Sequence, residues 1–371
     1  MKILRISDIA NNRTGGMSRY IHEVSDILLK NGHEVQLVFS NDIPCKNSSK
    51  WRRFLAPIAV VKMVLSLLKA GNKFAVVEIH EPLAAGYALA RLFMRKLPPL
   101  LVSVYAIEGR ALQTKVSYAK MKGISLNLLS RLKPLTIVWQ ANFALKHAQH
   151  IIVETQDDVQ FLHKHLRIKN SISIQHGGVD RNIFIYKNDL PQGILFLGSW
   201  IERKGIIDFI ETIEWLFKNE IVIPVTIAGT GCPEDEVREM FSFPLRSHIR
   251  VISKVTTNED LVSIYHSHSI FLFPSTLEGL PLVLLEAASC GLAIVTTNTS
   301  GMKDFIDHGV NGLLSEVGDT QALIQNVKLL LTDIGYQNLL GFKASEKAKL
   351  YSWENSAHQF LDACNKTVNV E

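Results

Sequence analysis

Twice along this chain a short apolar run, a helix and a second apolar run follow one another in the order of a parallel crossover. Lys2–Ser7 reads as a buried strand and is followed by a loop, Asp8–Thr14. Gly15-Gly16 then opens an amphipathic helix over Met17–Lys30, which Asn31-Gly32 closes, and Glu34–Ser40 is the next strand. Parallel neighbours need such a crossover, so the pattern predicts a parallel sheet. Val76–Ile79, Leu100–Val104, Ile151–Glu154 and Ser171–Ile174 extend it. A turn-rich stretch, Gly177–Pro191, interrupts the rhythm, which restarts with strand Gly193–Leu197 and helix Ile206–Asn219. Strand Val222–Ala228, helix Glu234–Phe241, strand Ile249–Ile252 and helix Asn258–His266 follow, then strand Ile270–Phe273, helix Pro281–Cys290 and strand Ala293–Thr296. The expected fold class is α/β, with two doubly wound parallel-sheet domains in series, each covered by helices on both faces. Ligands of such sheets bind beyond the carboxyl ends of the strands, so the loops that follow strands carry the functional information.

Composition is compatible with two cores. Of 371 residues, 47% are hydrophobic and 20% charged, and domains commonly hold about 100–200 residues. Cys45, Cys232, Cys290 and Cys364 are far apart with no CxxC pair, and no cationic leader with an apolar core precedes the first strand. Free thiols, a cytoplasmic setting and no structural or catalytic metal are therefore expected. Charge is uneven: residues 1–190 hold 27 Lys and Arg against 13 Asp and Glu, and the remainder reverses the balance. The basic half suggests an anionic partner. Nucleic acid ranks last, because no recognised module is present and no aromatics interleave an exposed basic run. A membrane surface fits better. Trp51, Arg52 and Arg53 precede an apolar helix, Phe54–Lys69, inside Lys50–Gly71, and a second basic-apolar stretch runs from Arg110 to Trp139. Neither is long enough to span a bilayer, but both could lie in its interface.

The most informative segment is Phe271–Gly291. A strand ends at Pro274, a loop carries Glu278-Gly279-Leu280, and a helix begins near Pro281 and Leu282, placing Glu278 just before the helix and Glu286 inside it. Backbone N–H groups at a helix N-terminus suit phosphate; Pro281 lacks one but loses little in a first turn. Carboxylates beside a phosphate site serve better as acceptors for hydroxyl pairs of a sugar or ribose. Arg203-Lys204 lies between strand Gly193–Leu197 and the next helix, where a fixed cation would stabilise a leaving group that gains negative charge.

These residues resemble the E-x7-E signature of the retaining glycosyltransferases of family 4, which have the GT-B fold, two Rossmann-like domains facing a deep cleft. The likeness takes in Gly15-Gly16-Met-Ser-Arg19, His176-Gly-Gly-Val-Asp180, Leu197–Gly205, Ala228-Gly-Thr-Gly231, Thr299–Asp304 and Asp307–Leu314, in order over nearly the whole chain. The resemblance implies domains over 1–185 and 186–352, with a closing helix from Trp353 packing back on the first domain. It implies a sugar transfer from a nucleoside-diphosphate donor to an acceptor hydroxyl with retention, the acceptor being a glycan or glycolipid of cell-surface or lipid-linked polysaccharide synthesis, and no cofactor. Glu286 would hold ribose hydroxyls; Glu278, with Gly279 and Leu280, the donor sugar; Lys204 and Arg203 the diphosphate. Gly15 and Gly16 would let the backbone approach the donor, and the loop carrying Lys254 and Val255 would cradle the base.

Two positions depart from the family. Ser199 follows Gly198 where an arginine is usual, and Tyr105 stands where a strand normally ends in histidine. Tyrosine donates a hydrogen bond but does not shuttle protons near neutral pH. With His80 and Glu108, Tyr105 is a candidate cleft residue. The departures keep one alternative in play, a nucleotide-sugar-binding protein without turnover, and a sugar-nucleotide epimerase on the same scaffold is a second alternative.

Overall fold

The computed structural model describes residues 1–13, 16–46, 51–126 and 135–369. Gly15 lies outside the described residues, as do Lys50 and the basic residues Arg131 and Lys133. The chain divides into two compact units. Unit 1 comprises Met1–Val116, Ser125–His176 and Trp353–Glu371, and unit 2 comprises Ser117–Ile124 and Gly177–Ser352.

Unit 1 is built on six strands: β1 (Lys2–Ile6), β2 (Glu34–Val38), β3 (Val76–His80), β4 (Leu100–Ser103), β5 (His150–Val153) and β6 (Ser171–Ile174). They are parallel, in the order β2-β1-β3-β4-β5-β6. Strands β3, β4 and β5 are buried along their whole length, as a sheet covered on both faces requires. Helices Gly16–Lys30 and Trp353–Asn369 pack on each other, and helices Arg52–Lys69, Ala85–Phe93 and Leu135–His147 form a separate layer. In that layer Gly86 lies so close to the Pro57 carbonyl that an added Cβ would sit 2.3 Å from its oxygen.

Unit 2 repeats the plan with β7 (Ile194–Leu197), β8 (Val225–Ala228), β9 (Ile249–Ile252), β10 (Ile270–Phe273), β11 (Ala293–Thr297) and β12 (Leu313–Ser315). The parallel order is β12-β11-β10-β7-β8-β9, the doubly wound arrangement whose direction reverses between the first and fourth strands. Four of the six strands are all apolar or nearly so, and Phe196, Phe209, Phe271 and Phe273 fill the centre of the core. The reversal falls between β7 and β10, so the loops after these two strands occupy the place where such folds bind ligands.

Among the described residues no helix is long and apolar enough to cross a membrane.

Candidate functional site

The loop after β7 is shaped by glycine. Gly198 has φ +148, and its N–H bonds to Ala228 O at 2.9 Å. A 3₁₀ turn, Glu202–Lys204, ends at Gly205, whose φ of +71 opens helix Ile206–Lys218. A Cβ on Gly205 would stand 1.8 Å from the Pro274 carbonyl oxygen. That contact draws the Arg203-Lys204 turn against the end of β10. Arg203 O then accepts a hydrogen bond from Thr276 N at 2.8 Å, with Ser275 Oγ 3.0 Å away. On the other side Gly301 presses on Gly279, where a Cβ would meet the carbonyl oxygen at 2.0 Å.

The two loops meet in one ion-pair cluster. Glu278 Oε1 lies 2.8 Å from Lys204 Nζ and 3.0 Å from Arg203 Nη1, and Ser275 Oγ donates to it at 2.7 Å. Arg203 Nη1 also donates to Leu277 O at 2.7 Å. Burial by itself would raise the Glu278 carboxyl, but the Lys204 and Arg203 charges and the hydrogen bonds outweigh it and hold the group below its ordinary range. Lys204 Nζ stands 5.0 Å from the Phe273 ring centroid, a desolvated face that favours a cation. Two cations thus converge on one carboxylate at the switch point of the sheet.

Glu286 is held differently. It lies in helix Leu282–Cys290, is 1% exposed, and its Oε2 is 2.8 Å from the Tyr265 hydroxyl of helix Asn258–His266. The same hydroxyl is 3.2 Å from Val283 O. Pro281 is the residue before this helix, so Leu282 is its first residue. Gly279, Leu280, Pro281 and Leu282 are all buried. Ser199 is exposed in the β7 loop. Lys254 is exposed and Val255 half-buried after β9, whose loop is tied to the β8 loop by Gly231 N→Ser253 O at 3.0 Å.

In unit 1 Gly16 is the exposed first residue of helix Gly16–Lys30. His80 ends β3 at the reversal of the first sheet. Its Nε2 is 3.1 Å from Glu78 Oε1 and its ring centroid 5.0 Å from that of Tyr105. Glu78 forms a salt bridge with Arg5 Nε, and Ser103 Oγ donates to Glu78 Oε1 at 2.7 Å. Arg5 and Glu78 are 2% and 1% exposed. Burial opposes the Glu78 charge, yet Arg5 and His80 hold its carboxyl well below the usual range. His80 therefore belongs to a buried, satisfied network. Tyr105 packs edge-on to Tyr20 with centroids 5.4 Å apart, and burial pushes its hydroxyl pKa up. Glu108 N–H donates to Glu81 Oε1 at 3.3 Å. Burial raises the carboxyl of Glu108, and burial followed by the Glu108 charge raises that of Glu81.

Sequence reasoning did not find Tyr265, Ser275 or Glu81. Ser275 stands inside Phe271–Gly291 and Glu81 directly follows His80, but a side-chain hydroxyl or second carboxylate carries no spacing signal. Tyr265 meets Glu286 across 21 positions, which only the packing of two helices produces.

Two family profiles match the chain in succession: Glycosyltransferase Family 4 over residues 14–182 and Glycosyl transferases group 1 over residues 191–333. An uncharacterized glycosyltransferase of Methanocaldococcus jannaschii is 26% identical over 190 residues, 50% of this chain and 51% of that protein. An Escherichia coli O-antigen chain mannosyltransferase is 27% identical over 46% of this chain and 44% of its own length. The chain thus spans about half the length of these two relatives. The E. coli UDP-Gal:α-D-GlcNAc-diphosphoundecaprenol α-1,3-galactosyltransferase is 24% identical over 80% of this chain and 76% of its own. Among solved structures, sucrose-phosphate synthase from Thermosynechococcus elongatus superposes with a TM-score of 0.77 at 17% identity, covering 97% of both chains. Anabaena HepE in complex with UDP and glucose superposes with a TM-score of 0.68 at 14% identity, covering 98% of both. These structural likenesses are of fold. The chain belongs to glycosyltransferase family 4, and its two doubly wound units are the two domains of the GT-B fold.

Proposed function

We propose that the protein is a retaining glycosyltransferase that moves a sugar from a nucleoside-diphosphate donor to an acceptor hydroxyl. The observation that carries this reading is the convergence of Lys204 and Arg203 on Glu278 at the switch point of unit 2. In the bond-breaking step the sugar C1–O bond opens toward the diphosphate, which gains negative charge. Lys204 and Arg203 stabilise that charge where it develops and therefore act on the transition state more than on the ground state. Glu278, kept anionic by the same cations, accepts hydrogen bonds from donor-sugar hydroxyls. Glu286, oriented by Tyr265, accepts from the ribose. The acceptor oxygen attacks from the face that the diphosphate leaves, and its proton passes to a diphosphate oxygen, so configuration is retained without an enzyme nucleophile. Residues at the strand ends of unit 1, among them Tyr105 and Glu108, take the acceptor. An acceptor from cell-surface or lipid-linked polysaccharide assembly accords with the activities for which the E. coli relatives are named.

The test is a thermal-shift panel of nucleoside diphosphates and their sugars, run on the wild-type chain and on Glu286→Ala. One base should stabilise the protein, and the variant should lose the shift. Donor turnover with the matching acceptor, followed by the anomeric NMR signal of the product, then reads retention. Stabilisation without release of nucleoside diphosphate in the presence of acceptors would establish a binding protein instead. Conversion of the donor with no acceptor present would establish an epimerase.

A further inference from the structure

Among the described residues, one helical layer of unit 1 combines exposed aromatics with a basic surface. Along helix Arg52–Lys69 the exposed positions are Leu55, Ile58, Lys62, Ser66 and Lys69, continuing from Trp51 before it, at spacings of three and four residues. They form one outward stripe, apolar in its first half and basic in its second. Helix Ala85–Phe93 lies beside it and helix Leu135–His147 beside that. These add Phe93, 81% exposed, and Trp139, 68% exposed, to Trp51 at 68%. Large aromatics are normally the first groups a folded chain hides, and three of them in one layer mark an interaction surface.

The charge of the layer identifies the partner. Residues 51–77, 82–107 and 135–153, which contain the three helices, hold nine Lys and Arg and not one Asp or Glu, and of the nine Arg52 is paired with Asp8 from the loop after β1. The other helical layer of unit 1 carries Glu23, Asp26, Glu354 and Asp362 among its bases. An all-basic face repels a second copy of itself, so self-association is disfavoured. Aliphatic and aromatic groups that project between cations suit neither a phosphodiester groove nor bulk water. They suit a surface with an apolar interior and anionic headgroups, where side chains insert and lysines stay at the headgroup level.

We infer that this three-helix layer docks unit 1 on an anionic lipid surface, with Trp51, Phe93 and Trp139 inserted and Lys62 and Lys69 at the headgroups. The surface shares no residue with the ion-pair cluster of unit 2, and vesicle binding is read with no donor present. Its failure therefore leaves the sugar-transfer reading standing, and the reverse holds.

Flotation of the full chain with phosphatidylcholine vesicles, with and without phosphatidylglycerol, tests the inference. The wild-type chain should partition at least about tenfold better onto vesicles containing phosphatidylglycerol, and added salt should release it. The double variant Phe93→Ser/Trp139→Ser should lose about tenfold in partition, with the thermal midpoint unchanged because both side chains are exposed. Should that variant be poorly folded, Lys62→Glu/Lys69→Glu reverses charge at two exposed positions and should lose binding alike. Equal binding to neutral and anionic vesicles, absence of binding at low salt, or full binding by the variants would each overturn the proposal. So would a wild-type dimer that Phe93→Ser/Trp139→Ser converts to monomer, since the layer would then be a contact between copies.

Discussion

The Tyr265 hydroxyl stands 2.8 Å from Glu286 Oε2, and this contact orients the one carboxylate inside helix Leu282–Cys290. The carboxylate is almost wholly removed from solvent, so its direction depends on its protein partners rather than on water. Tyr265→Phe keeps the ring and deletes that donor. Hydrogen bonds to charged groups contribute about 1.5–3 kcal/mol, so nucleoside diphosphate binding should weaken by about tenfold or more. Isothermal titration of the variant measures this, and an unchanged dissociation constant would separate Tyr265 from the site.

Lys204→Ala removes the first cation that Glu278 meets. Sugar transfer should fall by about a hundredfold or more, the scale set by loss of one preorganised charge partner, with little change in acceptor KM. The pH dependence has a definite sign. In the wild type the folded Glu278 carboxyl is held low, so the stability it contributes is present above the ordinary carboxylate range and is lost as pH falls through its folded value. Without Lys204 that value rises, and the acid unfolding midpoint of the variant should shift to higher pH. Circular dichroism across an acid titration reads the shift.

Glu81 behaves in the opposite sense. Burial and the neighbouring Glu108 raise its carboxyl, so the folded chain holds that proton more tightly than the unfolded chain does. Its contribution is favourable below the ordinary glutamate range and becomes unfavourable as pH climbs through the raised value. Glu81→Gln mimics the protonated form at every pH. The variant should melt above wild type at pH 8, by roughly 2–4 °C if about 1 kcal/mol is recovered, and show no gain near pH 4. Scanning calorimetry at both pH values decides, and a gain of the same size at both would point to packing instead.

Gly205→Ala tests the loop closure that brings Lys204 to Glu278. The new Cβ would collide with the Pro274 backbone in addition to requiring φ +71. A cost of about 3 kcal/mol or more is expected, combining steric displacement with left-handed strain. Gly309→Ala is the control, because φ is +78 there but the nearest atom is the Tyr336 hydroxyl at 3.6 Å. It should cost only about 1–2 kcal/mol. Equal midpoints for the two variants in chemical unfolding would mean that the Pro274 contact imposes nothing.

Much of the architecture was legible because it is written locally. Buried parallel strands are continuous apolar runs, and Ile151–Val153, Ile194–Leu197 and Ile270–Phe273 show this with no knowledge of their neighbours. The segment Leu197–Gly205 was legible only through the family resemblance, and the positive φ angles that Gly198 and Gly205 supply there came from the structure. Arg203, Lys204 and Glu278 could be singled out as charges in loops after strands, but not as one cluster. That arrangement depends on β7 lying beside β10, a neighbour relation that strand order in the sheet decides.

The apolar helix Arg52–Lys69 shows the same division. Its composition was plain in the sequence, but the stripe from Trp51 to Lys69 emerged only once its other side was covered by the sheet. Its partner at Phe93 sits on a helix whose sequence alone reads as ordinary core. His80 is the converse case, a strand-end histidine in the sequence that proves to be bound to Glu78, itself paired with Arg5 across 73 positions. The sequence by itself thus determined which segments are strands and helices, where the backbone must turn, and which charged residues stand near strand ends. Tertiary structure decided which of those charges face one another, which are consumed in buried networks, and which apolar groups remain outside. The physical reason is range: propensity, periodicity and backbone strain act over a few residues, whereas Coulomb attraction and burial depend on neighbours that only the completed sheets bring together.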